Sequence, residues 1–150
     1  MAADDPTDPG LRRTSRSLPI ALLRARETVM EPVRAMLAQS GISEQKWRVL
    51  RVVEESGPLE QTAIADMACL LLPSLTRIIR SLETDGLLQR APNTADRRKS
   101  MVTITARGRA LIREHAPQSN AIFARIEAQF GPRNLETLLD LLDELQKTRP

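Results

Sequence analysis

The chain has 150 residues, 41% of them hydrophobic, which suits one folded domain with a moderate core and argues against intrinsic disorder. Its 22 Lys and Arg exceed its 19 Asp and Glu by only three charges, so affinity for a polyanion depends on where the cations stand. One histidine, one cysteine and no tyrosine exclude an internal disulfide and a Cys/His metal cluster, and no Gly-rich phosphate loop appears; the composition predicts neither an enzyme nor a cofactor.

Residues 1–16, with Pro6, Pro9 and Gly10 among scattered charges, show no period and predict a flexible arm. A single domain is expected from 17 to 150. From Leu18 to Gln39 the apolar residues Ile20, Leu23, Met30, Val33 and Leu37 recur at helical steps, with a bend expected at Pro32. Ser40-Gly41 breaks the pattern. Ser43, followed by Glu44, opens a second helix whose apolar face is Trp47, Leu50 and Val53, and Gly57-Pro58 stops it. A short helix is expected from about 60 to 68, with Ile64, Ala65 and Ala68 inward. The next helix has Leu72 at its N-cap, Pro73 in its first turn and Gly86 at its C′ position; Leu75, Ile78, Ile79 and Leu82 form its buried face. Two strands follow, near 87–91 and 101–105, joined by nine residues from Pro92 to Ser100, long for a hairpin loop. Thr105 caps a helix running to about Gln129, which Gly131-Pro132 ends. Asn134 caps the last helix, where Leu135, Leu138, Leu142 and Leu145 repeat by three and four. The longest apolar run, Met67 to Pro73, is too short to span a bilayer and no signal segment opens the chain, so a soluble cytoplasmic protein with no membrane association is expected.

The fold class predicted is mostly α with a small β-hairpin. A short helix, a tight turn, a second helix and a basic hairpin together read as a winged helix-turn-helix, whose second helix fits a major groove. With its apolar face inward, Ser74, Thr76, Arg77 and Arg80 point outward, and short hydroxyls and arginines suit base edges and phosphates. Residues 86–107 carry Arg90, Arg97, Arg98, Lys99 and Arg107 against one acid, Asp96. At the hairpin tip Arg97, Arg98 and Lys99 stand in succession, placed to reach a narrow, electronegative minor groove. Each feature has a plainer reading alone: arginines solvate helix faces, and cations keep a sheet edge soluble. Their succession in this order favours double-stranded DNA as the partner.

The stretch "LTRIIRSLETDGLLQRAPNTADRRKSMVTITARGRALI" resembles the signature of MarR-type transcriptional regulators: a recognition helix, L-E-x-x-G-L, a wing with D-x-R, then T-x-x-G-R. The resemblance extends from about Leu18 to the C-terminus, and "IALLRARE", "EQKWRVLR" and "ACLLLPSLT" look closest to the branch that includes homoprotocatechuate-operon repressors. It implies a winged helix-turn-helix over about 43–105, flanked by dimerisation helices at about 17–40 and 106–148. It also implies roles: Arg98 as the minor-groove probe, Asp96 holding it by a charge-assisted bond, and Ser74, Thr76 and Arg77 facing the major groove. The family's capping serine is absent, since Leu72 stands at that place.

The family pairs through its terminal helices, and the leucine density of the last helix agrees: Leu135, Leu138, Leu139, Leu142 and Leu145 are the expected interface of a homodimer, the alternative being that they cap the core of one chain. A two-fold dimer implies a pseudo-palindromic operator. The resemblance further implies a small-molecule effector, often aromatic and acidic, that alters the spacing of the recognition helices. Trp47 is a candidate wall for it, with Arg16 or Arg24 as carboxylate partner; the plainer reading makes Trp47 core and both arginines surface charges. Cys69, among leucines, reads as a buried and inert thiol, and His115 as a surface or interface residue. The function expected is a repressor released by an aromatic or phenolic acid. The alternatives are a winged-helix module binding a protein partner and an architectural DNA binder of low specificity.

Overall fold

The structure, a computed structural model, describes residues 10–150; most of the expected arm at 1–16 lies outside the described residues. The chain divides into two units, Met1–Pro32 and Val33–Pro150, the boundary falling inside a helix rather than at the end of the arm. In the first unit a turn of 3-10 helix covers Thr14–Arg16, within the stretch expected to be irregular. Helix α1 (Leu18–Ala38) begins there, with Leu18, Leu22 and Leu23 exposed, and continues as helix through Pro32 into the second unit, where Val33, Met36 and Leu37 are buried.

The second unit holds α2 (Glu44–Ser56), β1 (Leu59–Glu60), α3 (Gln61–Ala68), α4 (Leu72–Thr84), β2 (Leu88–Pro92), β3 (Ser100–Ile104), α5 (Ala106–Phe130) and α6 (Pro132–Gln146). Its core gathers Val49, Leu50 and Val53 of α2, Ile64 and Ala68 of α3, Leu75, Ile79 and Leu82 of α4, and Leu88 and Val102 of the sheet. Ile78, expected on the buried face of α4, is half-buried.

The helix boundaries follow their capping chemistry. Ser43 accepts the Lys46 N–H at 3.2 Å, as expected for an N-cap. Helix α4 closes with a Schellman motif: the Gly86 N–H bonds to Glu83 O and the Leu87 N–H to Leu82 O, both at 2.9 Å, with Gly86 at φ +73. Leu82 and Leu87 are both buried at this turn. The start of α4 differs from expectation: Leu72 is its first residue and Leu71 its N-cap, with no side-chain bond to the helix. The start of α6 differs too. Pro132 begins it, because a proline at the first or second position is already preorganised for the helix and gives up an N–H that had no partner. Asn134 therefore lies inside α6, and its side-chain amide donates to Phe130 O at 2.8 Å, serving the C-terminus of α5 instead.

The sheet has three antiparallel strands in the order β1-β3-β2, with Leu59 opposite Val102 and Leu88 opposite Ile104. Strand β1 was not expected. Two residues between Pro58 and a helix carry no readable alternation, and only pairing with β3 defines them. Both strands keep the expected length but lie one residue nearer the tip, so the loop between them shrinks to the seven residues 93–99.

At the root of the hairpin, Thr105 and Gly108 explain the T-x-x-G pattern. Thr105 Oγ1 accepts the Gly108 N–H at 3.0 Å, capping α5, and donates to Gly86 O at 2.6 Å. Gly108 brings α5 so close to the turn after α4 that a Cβ there would lie 2.4 Å from Leu87 O and 2.7 Å from Ile104 Cγ1. One hydroxyl and one missing methyl thus join the end of α4, the end of β3 and the start of α5.

Candidate nucleic-acid interface

The chain turns through 107° between α3 and α4, within the range of a helix-turn-helix. Cys69 makes this turn possible by adopting the left-handed conformation, φ 54 and ψ 50, its N–H bonding back to α3. The expectation of a buried thiol is corrected: Cys69 is exposed, because a residue at this capping position leaves the packed face of its helix. Arg48 on α2 braces the turn, donating to Ala68 O at 2.7 Å.

The outward face of α4 presents Arg77 and Arg80, both exposed, and Ser74, half-buried. Ser74, Arg77 and Ile78 line a shallow cleft of about 280 Å³ together with Gln45 of α2. Thr76 is placed differently from expectation. It is half-buried, its hydroxyl accepting from the side-chain amide of Gln61 and donating to Leu72 O at 3.0 Å. With its proton on the backbone, it ties the first turn of α4 to α3, and hydrogen bonding to a base edge is not what its hydroxyl is arranged for. Gln61, the first residue of α3, was not singled out from the sequence; a lone glutamine carries no local signal, and its role exists only across the turn.

The wing tip is folded upon itself. Asn93 Oδ1 accepts the Ala95 N–H at 2.9 Å and the Asp96 N–H at 3.4 Å, and Asp96 Oδ1 accepts the Arg98 N–H at 3.0 Å. The Asn93 N–H bonds to Lys99 O at 3.0 Å across the loop. The contact expected between Asp96 and Arg98 falls on the backbone amide and not on the guanidinium: Asp96 shapes the loop and leaves the arginine head outside. Lys99 lies 3.5 Å from Glu60 of β1, an ion pair between half-exposed groups. Among the described residues, the guanidinium groups of Arg77, Arg80, Arg97 and Arg98 make no ion pair or hydrogen bond.

The effector candidates are distributed over both units. Arg16 and Arg24, both exposed, belong to the first; Trp47 belongs to the second, where it is buried. Trp47 meets the His115 ring edge-on at 5.7 Å, and His115 Nε2 lies 2.8 Å from Ser40 Oγ. His115, expected at the surface or an interface, is buried; a hydroxyl partner and an aromatic face let α5 turn it inward. Ser40 also lines an open cleft of about 470 Å³ with Leu87, Arg107, Leu111 and Glu114.

On α6, Leu138, Leu139 and Leu145 are exposed, Leu135 and Leu142 half-buried; Leu141, not singled out from the sequence, is more exposed than any of them.

A winged helix-turn-helix with unpartnered arginines on both its recognition helix and its wing can be compared with known proteins. The MarR family matches residues 42–100. The chain is 38% identical to the homoprotocatechuate degradative operon repressor of Escherichia coli over 85% of its length and 86% of the relative's. It is 37% identical to the HTH-type transcriptional regulator FarR of Neisseria gonorrhoeae over 87% of its length and 90% of the relative's. Among solved structures, NadR in complex with 4-hydroxyphenylacetate superimposes with a TM-score of 0.81 at 35% identity, covering 93% of this chain and 99% of that one. These relatives are regulators and not enzymes, and the chain belongs to the MarR family of transcriptional regulators.

Proposed function

We propose that the protein is a repressor that binds a pseudo-palindromic DNA operator as a homodimer and leaves it when a small aromatic or phenolic acid binds. The observation that carries this reading is the set of four exposed arginines, Arg77 and Arg80 on α4 with Arg97 and Arg98 on the wing, whose charge nothing in the described chain neutralises. Helix and wing then engage adjoining grooves, α4 in the major groove and Arg98 in the minor groove. Ser74 and the two α4 arginines contact base edges and phosphates, and Thr76 positions the helix. Asp96 holds the loop that presents Arg97, Arg98 and Lys99. Exposed leucines on α6 support pairing, since single chains seldom leave so many apolar side chains along one short helix in water.

The effector class rests on likeness to NadR, which was solved with 4-hydroxyphenylacetate. Arg16, Arg24 and Trp47 remain its proposed contacts. Trp47 is the only tryptophan in the chain, so its fluorescence reports on binding directly.

The test begins with selection of duplexes from a random pool by the full-length protein at fixed salt. Recovery of an inverted repeat bound about a thousandfold more tightly than random DNA supports the repressor reading, since specific sites exceed non-specific ones by at least that factor. Equal affinity for random DNA would favour the architectural alternative, and no DNA affinity at all the partner-binding one. Adding 4-hydroxyphenylacetate should then release the selected duplex and change Trp47 fluorescence at the same concentrations.

A further inference from the structure

The recognition helix begins with two leucines that the fold does not use. Leu71 is 77% exposed and Leu72 is 44% exposed, while Ala68, three residues before the pair, and Leu75, three residues after it, are fully buried. The backbone beneath them is held. The Leu71 carbonyl accepts the Leu75 N–H at 3.0 Å, the Leu72 carbonyl accepts the Thr76 hydroxyl, and Pro73 follows in the first turn. These are fixed apolar projections on an ordered turn.

Their position tells what covers them. Leu72, Thr76 and Arg80 are spaced by four, so Leu72 continues the stripe that carries Arg80, one of the two exposed arginines of α4, and lies about two turns nearer the helix N-terminus. In a helix-turn-helix the N-terminal residues of this helix are the ones that reach base edges. The major-groove edge of every base pair carries hydrogen-bonding groups, and the only apolar group there is the C5-methyl of thymine. A leucine pressed on guanine, cytosine or adenine strips water from those groups without replacing their bonds. Against a thymine methyl the same leucine buries apolar surface on both sides. It therefore selects for thymine and against the alternatives together.

Resting on the DNA-binding reading above, we infer that Leu71 and Leu72 form a thymine-methyl reader that fixes one or two thymines in each operator half-site. These are specificity contacts made by shape and apolar surface, distinct from the charge contacts of the arginines.

Deoxyuridine differs from thymidine only by that methyl, so it isolates the effect. The full-length protein is bound to its selected duplex, and each thymine is replaced in turn by deoxyuridine at constant salt. Replacement at the positions read by the pair is expected to weaken binding about fourfold per methyl, and about fifteenfold when both half-sites are changed. Other positions should respond little. Leu72→Ala and Leu71→Ala should each reduce the difference between thymine and uracil duplexes, and the double variant should abolish it, all keeping the salt dependence of the parent. Both residues are exposed, and an unchanged melting temperature confirms that the variants fold. A protein that binds its duplex tightly but shows no thymine–uracil difference at any position overturns this inference and leaves the repressor reading intact. Loss of dimerisation by Leu72→Ala, with thymine preference unchanged, also overturns it by assigning the leucines to a protein contact. Absence of any DNA binding removes both readings.

Discussion

Replacing Gly108 by alanine sets two physical effects against each other. Helix propensity favours alanine by at most about 1 kcal/mol, the figure for a helix interior, since Gly108 stands in the first turn of α5. The fold opposes it: the added Cβ meets Leu87 O at 2.4 Å and Ile104 Cγ1 at 2.7 Å. Neither neighbour can yield easily, since one is backbone and the other belongs to a nearly buried strand residue. Two such contacts place the change at the upper end of the ~1–3 kcal/mol range for overpacking. The net loss is then about 2 kcal/mol, or a fall in melting temperature of about 4–8 °C at about 2–4 °C per kcal/mol for a chain this size. Circular dichroism melts of both proteins at one concentration measure it, the fixed concentration being needed because the proposed dimerisation would contribute to apparent stability. An unchanged or raised melting temperature would refute the reasoning, because propensity alone predicts a gain.

Thr105→Val keeps shape but removes both bonds of the shared hydroxyl, to the Gly108 N–H and to Gly86 O, and should destabilise by about 1–2 kcal/mol in a denaturant titration. Arg98→Ala should leave the melting temperature within about 1 °C, because the exposed guanidinium has no partner in the fold, yet weaken operator binding by about tenfold or more. If Arg98 neutralises phosphate charge, the slope of log affinity against log salt also falls by about one for each subunit. Lysine at both Leu138 and Leu139 should convert the protein to a monomer by light scattering, and abolish operator binding, while its helical content is retained. Cys69→Gly should hold or raise stability, by up to about 1 kcal/mol, because glycine meets φ 54 without the strain a Cβ imposes; a clear loss in a thermal melt would mean the thiol is packed.

Much of this molecule is readable from local patterns. Ser43, Thr105 and Gly86 act where short-range chemistry places them, and the leucine and isoleucine spacing of α4 identifies its buried face with only Ile78 displaced outward. Arg77 and Arg80 are exposed, as the same spacing implies, and Arg97 and Arg98 are exposed in the wing loop. What escaped is long-range. Strand β1 exists only because β3 lies beside it, and Gln61 matters only because Thr76 arrives opposite it. His115 looked like a surface residue until Ser40, seventy-five positions away, supplied its partner. Asn134 is the instructive local failure. Two good helix starters stand two residues apart, and Pro132 takes precedence, which frees the asparagine to serve the preceding helix. The family resemblance implies that Asp96 anchors a guanidinium, whereas a carboxylate two residues before an N–H more readily closes a turn on the backbone.

The wing loop carries a consequence for speed and tightness of docking. Ordering a residue costs about 1–2 kcal/mol of conformational freedom, so ordering seven unrestrained residues would cost about 7–14 kcal/mol. Here two short side chains, Asn93 and Asp96, tie the tip to its own backbone. On the proposed DNA-binding reading, the backbone that carries the arginines is therefore shaped before contact, and only their unpaired side chains lose freedom when the wing meets a groove.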